Sequence, residues 1–354
     1  MNLLSDWKMT HNGVERSLEL YQGDLSRLPD DQAVDLLVVS AFPNDYLPTF
    51  TSLIGALEKE GVSVAKLASD KELDLRDDFS CWISKPIPER RNFRRLLCVE
   101  SGWRGTPPEL ADDVFRALAP ASTLGIPHKT IAMPLIGAGD QGYPADQILN
   151  AILKAALSWF GRGLDVRVLK IVVHSPQGSL QAKKAFLEAK QADVDSSVRH
   201  LKDVSKHPEK AGASLSRKHD IFISYAHENL EAALAICKQL EKIAPHLRIF
   251  IDRKTLHTGT SWLLDIAESL DEAQLIVALY TPQYWASTFC KDEFMAAWIR
   301  QTDEGRKLLF PIHFEECRIP TLFKTIQFED CREADLGKLA RVSHGIKEML
   351  HGLS

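Results

Sequence analysis

Two hydrophobic patterns alternate along most of the chain. Short unbroken runs of Val, Ile and Leu read as buried strands. Segments with apolar residues every three to four positions read as amphipathic helices. In the N-terminal part this predicts strands at residues 18–21, 34–40, 96–99, 130–135 and 166–173, and helices at 47–60, 109–121, 145–160 and 179–190. In the C-terminal part it predicts strands at 220–224, 248–251, 275–280, 308–312 and 325–328, with helices near 230–243, 261–272, 282–301 and 336–350. The helix after Pro144 places Ile148, Ile152, Ala155 and Trp159 on one face. Pro144 suits a helix start, and Asp146 is an acid where the helix dipole favours one. The run from Leu275 to Leu279 is apolar at every position, as a central parallel strand covered on both faces requires. The predicted fold class is α/β, with two α/β sandwich domains in series.

Residues 198–219 break both patterns. They hold six Lys and Arg against two acids, include Pro208 and Gly212, and lack large apolar clusters. That composition predicts a solvated linker, whose first part can extend the preceding helix. The expected domains are therefore 1–194, a linker at 195–218, and 219–354. A length of 354 residues agrees with two domains of ordinary size. The formal net charge of −5 is mildly acidic, which argues against a protein that coats nucleic acid. No apolar run approaches a membrane span, and the first residues lack the basic-then-apolar order of a secretion signal. A cytoplasmic protein without nucleic-acid or membrane partners is expected. The six cysteines form no CxxC pair and no zinc-ligand cluster, so reduced, buried thiols and no bound metal are expected.

Residues 130–144 read TIAMPLIGAGDQGYP, with Gly137, Gly139 and Gly142 in a G-x-G-x-x-G pattern between a strand and a helix. Such glycines let backbone N–H groups approach a diphosphate. A dinucleotide-binding unit also needs an acid after the next strand. Here that strand runs into His174-Ser175-Pro176, so the dehydrogenase reading fails. The loop residues Gly137, Ala138, Gly139, Asp140, Gln141, Gly142 and Tyr143 instead resemble the ribose- and phosphate-binding loop of macro domains. The stretch Leu18-Glu19-Leu20-Tyr21-Gln22-Gly23-Asp24-Leu25 resembles that family's first strand and Gly-Asp turn. The resemblance spans roughly residues 15–190. It implies a mixed sheet, an ADP-ribose-like ligand, and recognition of the adenine amino group by Asp24. Hydrolytic macro domains carry asparagines after the next strand, where this chain has Val39 and Phe42, with Asn44 the nearest asparagine. Neither Val nor Phe hydrogen-bonds through its side chain, which argues against ADP-ribosyl hydrolysis. The alternative is a tight glycine turn that serves only the fold.

The C-terminal part holds Ile221-Phe222-Ile223-Ser224-Tyr225, then Ile249-Phe250-Ile251-Asp252, Gly259-Thr260-Ser261-Trp262, and Trp285-Ala286-Ser287 ahead of Cys290-Lys291-Asp292-Glu293. In this order and spacing residues 218–350 resemble a TIR domain, which implies a flavodoxin-like parallel sheet. Sites in such sheets lie beyond the strand carboxyl ends. Some TIR domains are adaptors that only self-associate. Others cleave NAD between nicotinamide and ribose, using a glutamate at the position of Glu293. Nicotinamide departs neutral, so one carboxylate suffices: it stabilises the charge gathering on ribose and helps deprotonate the attacking group.

The same resemblance makes Ser224, Tyr225, Arg253 and Trp262 candidates for binding NAD, which is a substrate; no cofactor is expected. Trp262 either stacks on a base or packs a helix start, and Tyr225 reads more simply as packing. Asp292 is expected to be the more solvated neighbour of Glu293, and Cys290 to be a packing residue. The polar loop 253–259 resembles the one through which TIR domains contact one another, which implies self-association.

Together these readings point to an NAD-cleaving TIR effector of innate, antiphage immunity, gated by an ADP-ribose-binding macro-like domain. A non-enzymatic TIR scaffold with a nucleotide-sensing domain is the alternative. A macro-domain hydrolase with a TIR adaptor is disfavoured by Val39 and Phe42.

Overall fold

The computed structural model describes all residues except 12, 88–91, 101–105, 140–141, 207–218, 252–268, 271, 333–335 and 353–354. The chain divides into two compact units, Met1–Gly212 and Ala213–Ser354.

The first unit is built on an eight-stranded mixed sheet. Its strands are β1 (Asn2–His11), β2 (Val14–Gln22), β3 (Val34–Ala41), β4 (Lys71–Leu75), β5 (Cys81–Ser84), β6 (Phe93–Glu100), β7 (Thr130–Pro134) and β8 (Val168–Val173), in the order β1-β2-β8-β7-β3-β6-β5-β4. The five central strands are parallel, and the edges are antiparallel. The centre is parallel because its strands are apolar on both faces: Leu36, Leu37, Val38 and Val39 are all fully buried. Helices Pro107–Thr123, Ala145–Gly161 and Pro176–Lys206 supply crossovers and cover. The last of these overruns its expected end at residue 190 and enters the stretch expected to be linker.

The second unit is a five-stranded sheet, all parallel, of β9 (His219–Ser224), β10 (Ile249–Ile251), β11 (Ala273–Tyr280), β12 (Leu309–His313) and β13 (Glu329–Asp330). Its order is β10-β9-β11-β12-β13. Leu275, Val277 and Leu279 meet Ile236 and Leu240 of helix Leu230–Ile243 and Ile346 of helix Leu336–Gly352 in one core. The α/β fold class is thus observed in both units. Among the described residues no helix is long and apolar enough to cross a membrane.

Candidate functional site

The carboxyl edge of the second sheet gathers side chains from three strand ends. β9 ends at Ser224, which is 1% exposed. β11 ends at Tyr280, and Thr281 then opens the short helix Pro282–Ala286, accepting a hydrogen bond from the Tyr284 amide at 3.1 Å. Pro282 fits there because a first-turn residue needs no N–H. Ser287 closes that helix and caps the next, Thr288–Glu304, accepting from the Cys290 amide at 3.3 Å. The expected single helix over 282–301 is therefore two, with a corner at Ser287. The corner points the second helix so that Glu293 reaches the end of β9. Ser224 Oγ donates to Glu293 Oε2 over 2.6 Å, and the Tyr284 hydroxyl lies 2.9 Å from Ser224 Oγ.

Neighbouring loops are tied to this point. Thr281 Oγ1 donates to Asn229 Oδ1 at 2.8 Å, and Asn229 Nδ2 donates to Glu315 at 3.3 Å, so segments following β9, β11 and β12 are joined. Beneath them Trp285 stacks on Phe323, with Phe294 edge-on to both. Burial first, and the Glu293 charge beside it, push the Tyr284 hydroxyl well above its ordinary value, against a smaller opposite pull from Ser224. It is a neutral donor at any working pH. Burial first, then Glu293, push the Cys290 thiol up to about 12. A thiol so placed stays protonated, as the packing reading expects.

Among the candidates, Ser224 and Glu293 come together here. Tyr225 is half-buried and packs against the sheet core. Arg253 and Trp262, with the rest of loop 253–259, lie outside the described residues. Asp292, expected to be the more solvated acid, is only 7% exposed, whereas Glu293 is half-buried. Their turn of helix sits against the domain, and Asp292 takes its inner side. Tyr284 was not anticipated, because no spacing rule links it to a strand ending 60 residues earlier.

In the first unit, β2, β8 and β7 run parallel, so Asp24 beyond β2 and the glycine loop beyond β7 share one sheet edge. Asp24 Oδ1 accepts from the Ser26 amide at 2.9 Å and the Ser26 hydroxyl at 2.7 Å, capping the turn Leu25–Arg27. Gly137 and Gly142 have φ of 87° and 70°, which only glycine adopts freely. The amides of Ala138, Gly142 and Tyr143 bond back to Leu135, Gly139 and Gly137 carbonyls at 3.1, 2.9 and 3.1 Å. A Cβ placed on Gly139 would meet no atom within 4 Å. Asp140 and Gln141 lie outside the described residues.

Val39 lies within β3 as core, and beyond that strand Asn44 is tied to β6 and to Arg76. The Asn44 amide donates to Glu100 Oε2 at 2.9 Å, its side-chain oxygen accepts from Arg76, and the Tyr46 hydroxyl donates to the other Glu100 oxygen. Among the described residues no three His, Cys, Asp or Glu side chains gather as a metal site.

Residues 221–342 match the family model described as TIR domain. Among solved structures, a mutant of the Oceanobacillus iheyensis macrodomain is similar at 17% identity, covering 53% of this chain and 99% of that one, with a TM-score of 0.42. The Trypanosoma brucei macrodomain in complex with ADP-ribose is similar at 15% identity, over 48% of this chain and 68% of that one, with a TM-score of 0.37. The TIR domain of a Toll-related receptor from Hydra magnipapillata is similar at 14% identity, over 38% and 98%, with a TM-score of 0.30. No curated protein matches the chain. Over residues 221–342 the all-parallel second unit is a TIR domain, carried on the same chain as an N-terminal α/β unit built on a mixed sheet.

Proposed function

We propose that the TIR domain cleaves NAD at the bond between nicotinamide and ribose, and that the macro-like domain binds an ADP-ribose-type nucleotide and gates the cleavage. One observation carries this reading: the Glu293 carboxylate is held by Ser224 at 2.6 Å, at the carboxyl edge of a parallel sheet. In the reaction the C–N bond breaks and its electron pair leaves with neutral nicotinamide. Positive charge gathers on the ribose ring, and Glu293 stabilises it through the ribose hydroxyls. A water oxygen then bonds the ribose carbon and loses a proton to the carboxylate, giving ADP-ribose. Attack by the adenine ring instead gives a cyclic isomer. NAD is consumed as substrate, and no cofactor takes part.

In the macro-like domain, glycine-loop N–H groups other than those of Ala138, Gly142 and Tyr143, which bond back within the loop, hold the phosphates, and Asp24 recognises the adenine amino group. Net charge is blind to such a site, so the acidic balance of the chain does not oppose it. Self-association through TIR domains completes the catalytic site, and the setting is cytoplasmic antiphage immunity.

The test is nicotinamide release from NAD by concentrated full-length protein, with and without ADP-ribose. Wild type releases nicotinamide, ADP-ribose changes the rate, and Glu293→Gln is inactive. A wild type that releases none at any concentration overturns the enzyme and leaves a scaffold. An active Glu293→Gln overturns the assignment of Glu293, and a rate indifferent to ADP-ribose overturns the gate.

A further inference from the structure

A glutamate side chain on a helix has three torsions to order before its carboxylate points one way. At Glu293 two other residues set that direction. The Ser224 hydroxyl has one proton, and its 2.6 Å contact with Glu293 Oε2 uses it, because an ionised carboxylate only accepts. The 2.9 Å contact between Ser224 Oγ and the Tyr284 hydroxyl then has one sense left, with Tyr284 donating. Tyr284 is fully buried and Ser224 nearly so, so bulk water does not reach either donor. Both are anchored independently of Glu293, Ser224 by the pairing of β9 with β11 and Tyr284 by the helix that Thr281 caps.

We propose that Tyr284 and Ser224 are positioning residues for the Glu293 carboxylate, acting as a directed chain: Tyr284 O–H to Ser224 Oγ, then Ser224 O–H to Glu293 Oε2. The proposal rests on the reading of Glu293 as the catalytic carboxylate. In this chain Ser224 does not bind NAD; it turns the group that does. Polarised by Tyr284, the serine is a stronger donor than it would be alone. Tyr284 acts on the reaction only through Ser224.

The experiment measures kcat and KM for NAD cleavage in full-length wild type, Ser224→Ala, Tyr284→Phe, the double variant and Glu293→Gln, all below their melting midpoints. Ser224→Ala is expected to lower kcat about ten- to hundredfold, the range of a hydrogen bond to a charged group, with KM unchanged. Tyr284→Phe keeps the ring and is expected to lower kcat about two- to tenfold, again with KM unchanged. In the double variant kcat equals that of Ser224→Ala, because the hydroxyl of Tyr284 has nothing left to act on.

Wild-type kcat in Tyr284→Phe, or a full additive loss in the double variant, overturns the chain. So does a rise in KM with kcat unchanged in Ser224→Ala, which marks a substrate contact. Should Tyr284→Phe fail to fold, Ser224→Ala alone decides, and an unchanged kcat overturns the proposal. A wild type without activity, or an active Glu293→Gln, fails differently: it overturns the reading on which the chain rests, and the chain with it.

Discussion

Ser224 and Glu293 stand 69 positions apart, yet their side chains meet at 2.6 Å where β9 ends. The contact separates two roles of the glutamate, its charge and its shape. Glu293→Gln keeps an oxygen that accepts from Ser224, so the folded state is expected to lose less than about 1 kcal/mol, while NAD cleavage disappears. Glu293→Ala removes the acceptor and leaves the buried Ser224–Tyr284 hydroxyl pair with one proton unaccepted, at a cost of about 1–3 kcal/mol. Chemical denaturation of the two variants, paired with a nicotinamide assay, checks both halves. Equal stability of the two would show that the contact contributes nothing to the fold.

Cys290 lies one turn before Glu293, where a nucleophilic thiol would be tempting to invoke. Its thiol is buried and pushed up to about 12. It is therefore expected to resist iodoacetamide in the native protein at pH 8 and to react only on unfolding, read by mass spectrometry of the modified peptide. Cys290→Ala is expected to retain NAD cleavage. Rapid native alkylation, or an inactive but folded Cys290→Ala, would contradict this.

Much of this architecture was legible because the central strands are continuous apolar runs, such as Leu275–Leu279, whose burial on both faces needs no long-range knowledge. What escaped was set by polar and distant contacts. β4, reading Lys-Glu-Leu-Asp-Leu, and the four-residue β5 carry too little apolar pattern to stand out; β5 is a strand because β6 offers it an edge, and β4 because β5 offers the next. The helix expected from residue 47 begins at Leu53. Pro48 disfavours helical backbone at Leu47, and Ser52 caps the Gly55 amide at 3.0 Å. A short strand expected at 325–328 instead follows as Glu329–Asp330, paired to Ile312 and His313. At the site, motif order located Glu293, but Tyr284 is recognisable only once the fold brings it to Ser224.

Asp220 at the start of β9 gives the TIR domain an acid-sensitive tie. Burial raises its carboxyl, but hydrogen bonds and charge from Arg248 outweigh this and hold it below its usual value of 3.8. Arg248 reaches both carboxylate oxygens, at 3.2 and 3.0 Å, and its amide adds a third bond at 2.8 Å. A carboxyl lowered in the folded state contributes stability above its unfolded value, and that contribution is lost as pH falls through the folded one. The domain is therefore expected to lose stability below about pH 4, near the unfolded aspartate value. Asp220→Asn should flatten that part of the profile and be less stable than wild type at pH 7. Thermal melts across pH 2–7 compare them, and identical profiles would remove Asp220 from the account.

The glycine loop of the first unit offers a way to separate a ligand site from a structural turn, because its glycines are held differently. Gly137 has φ of 87°, so Gly137→Ala strains the backbone and is expected to cost about 1–3 kcal/mol whether or not a ligand binds. Gly139 has no such strain, and a methyl group there meets no protein atom within 4 Å. Gly139→Ala should therefore leave the melting temperature almost unchanged. If phosphates approach the backbone at Gly139, the same methyl group occupies their place, and ADP-ribose affinity is expected to fall at least about tenfold, or 1.4 kcal/mol. Calorimetric titration of wild type and Gly139→Ala with ADP-ribose reads this directly. Equal affinities would place the diphosphate elsewhere, and no binding by wild type would leave the loop as a turn that serves only the fold.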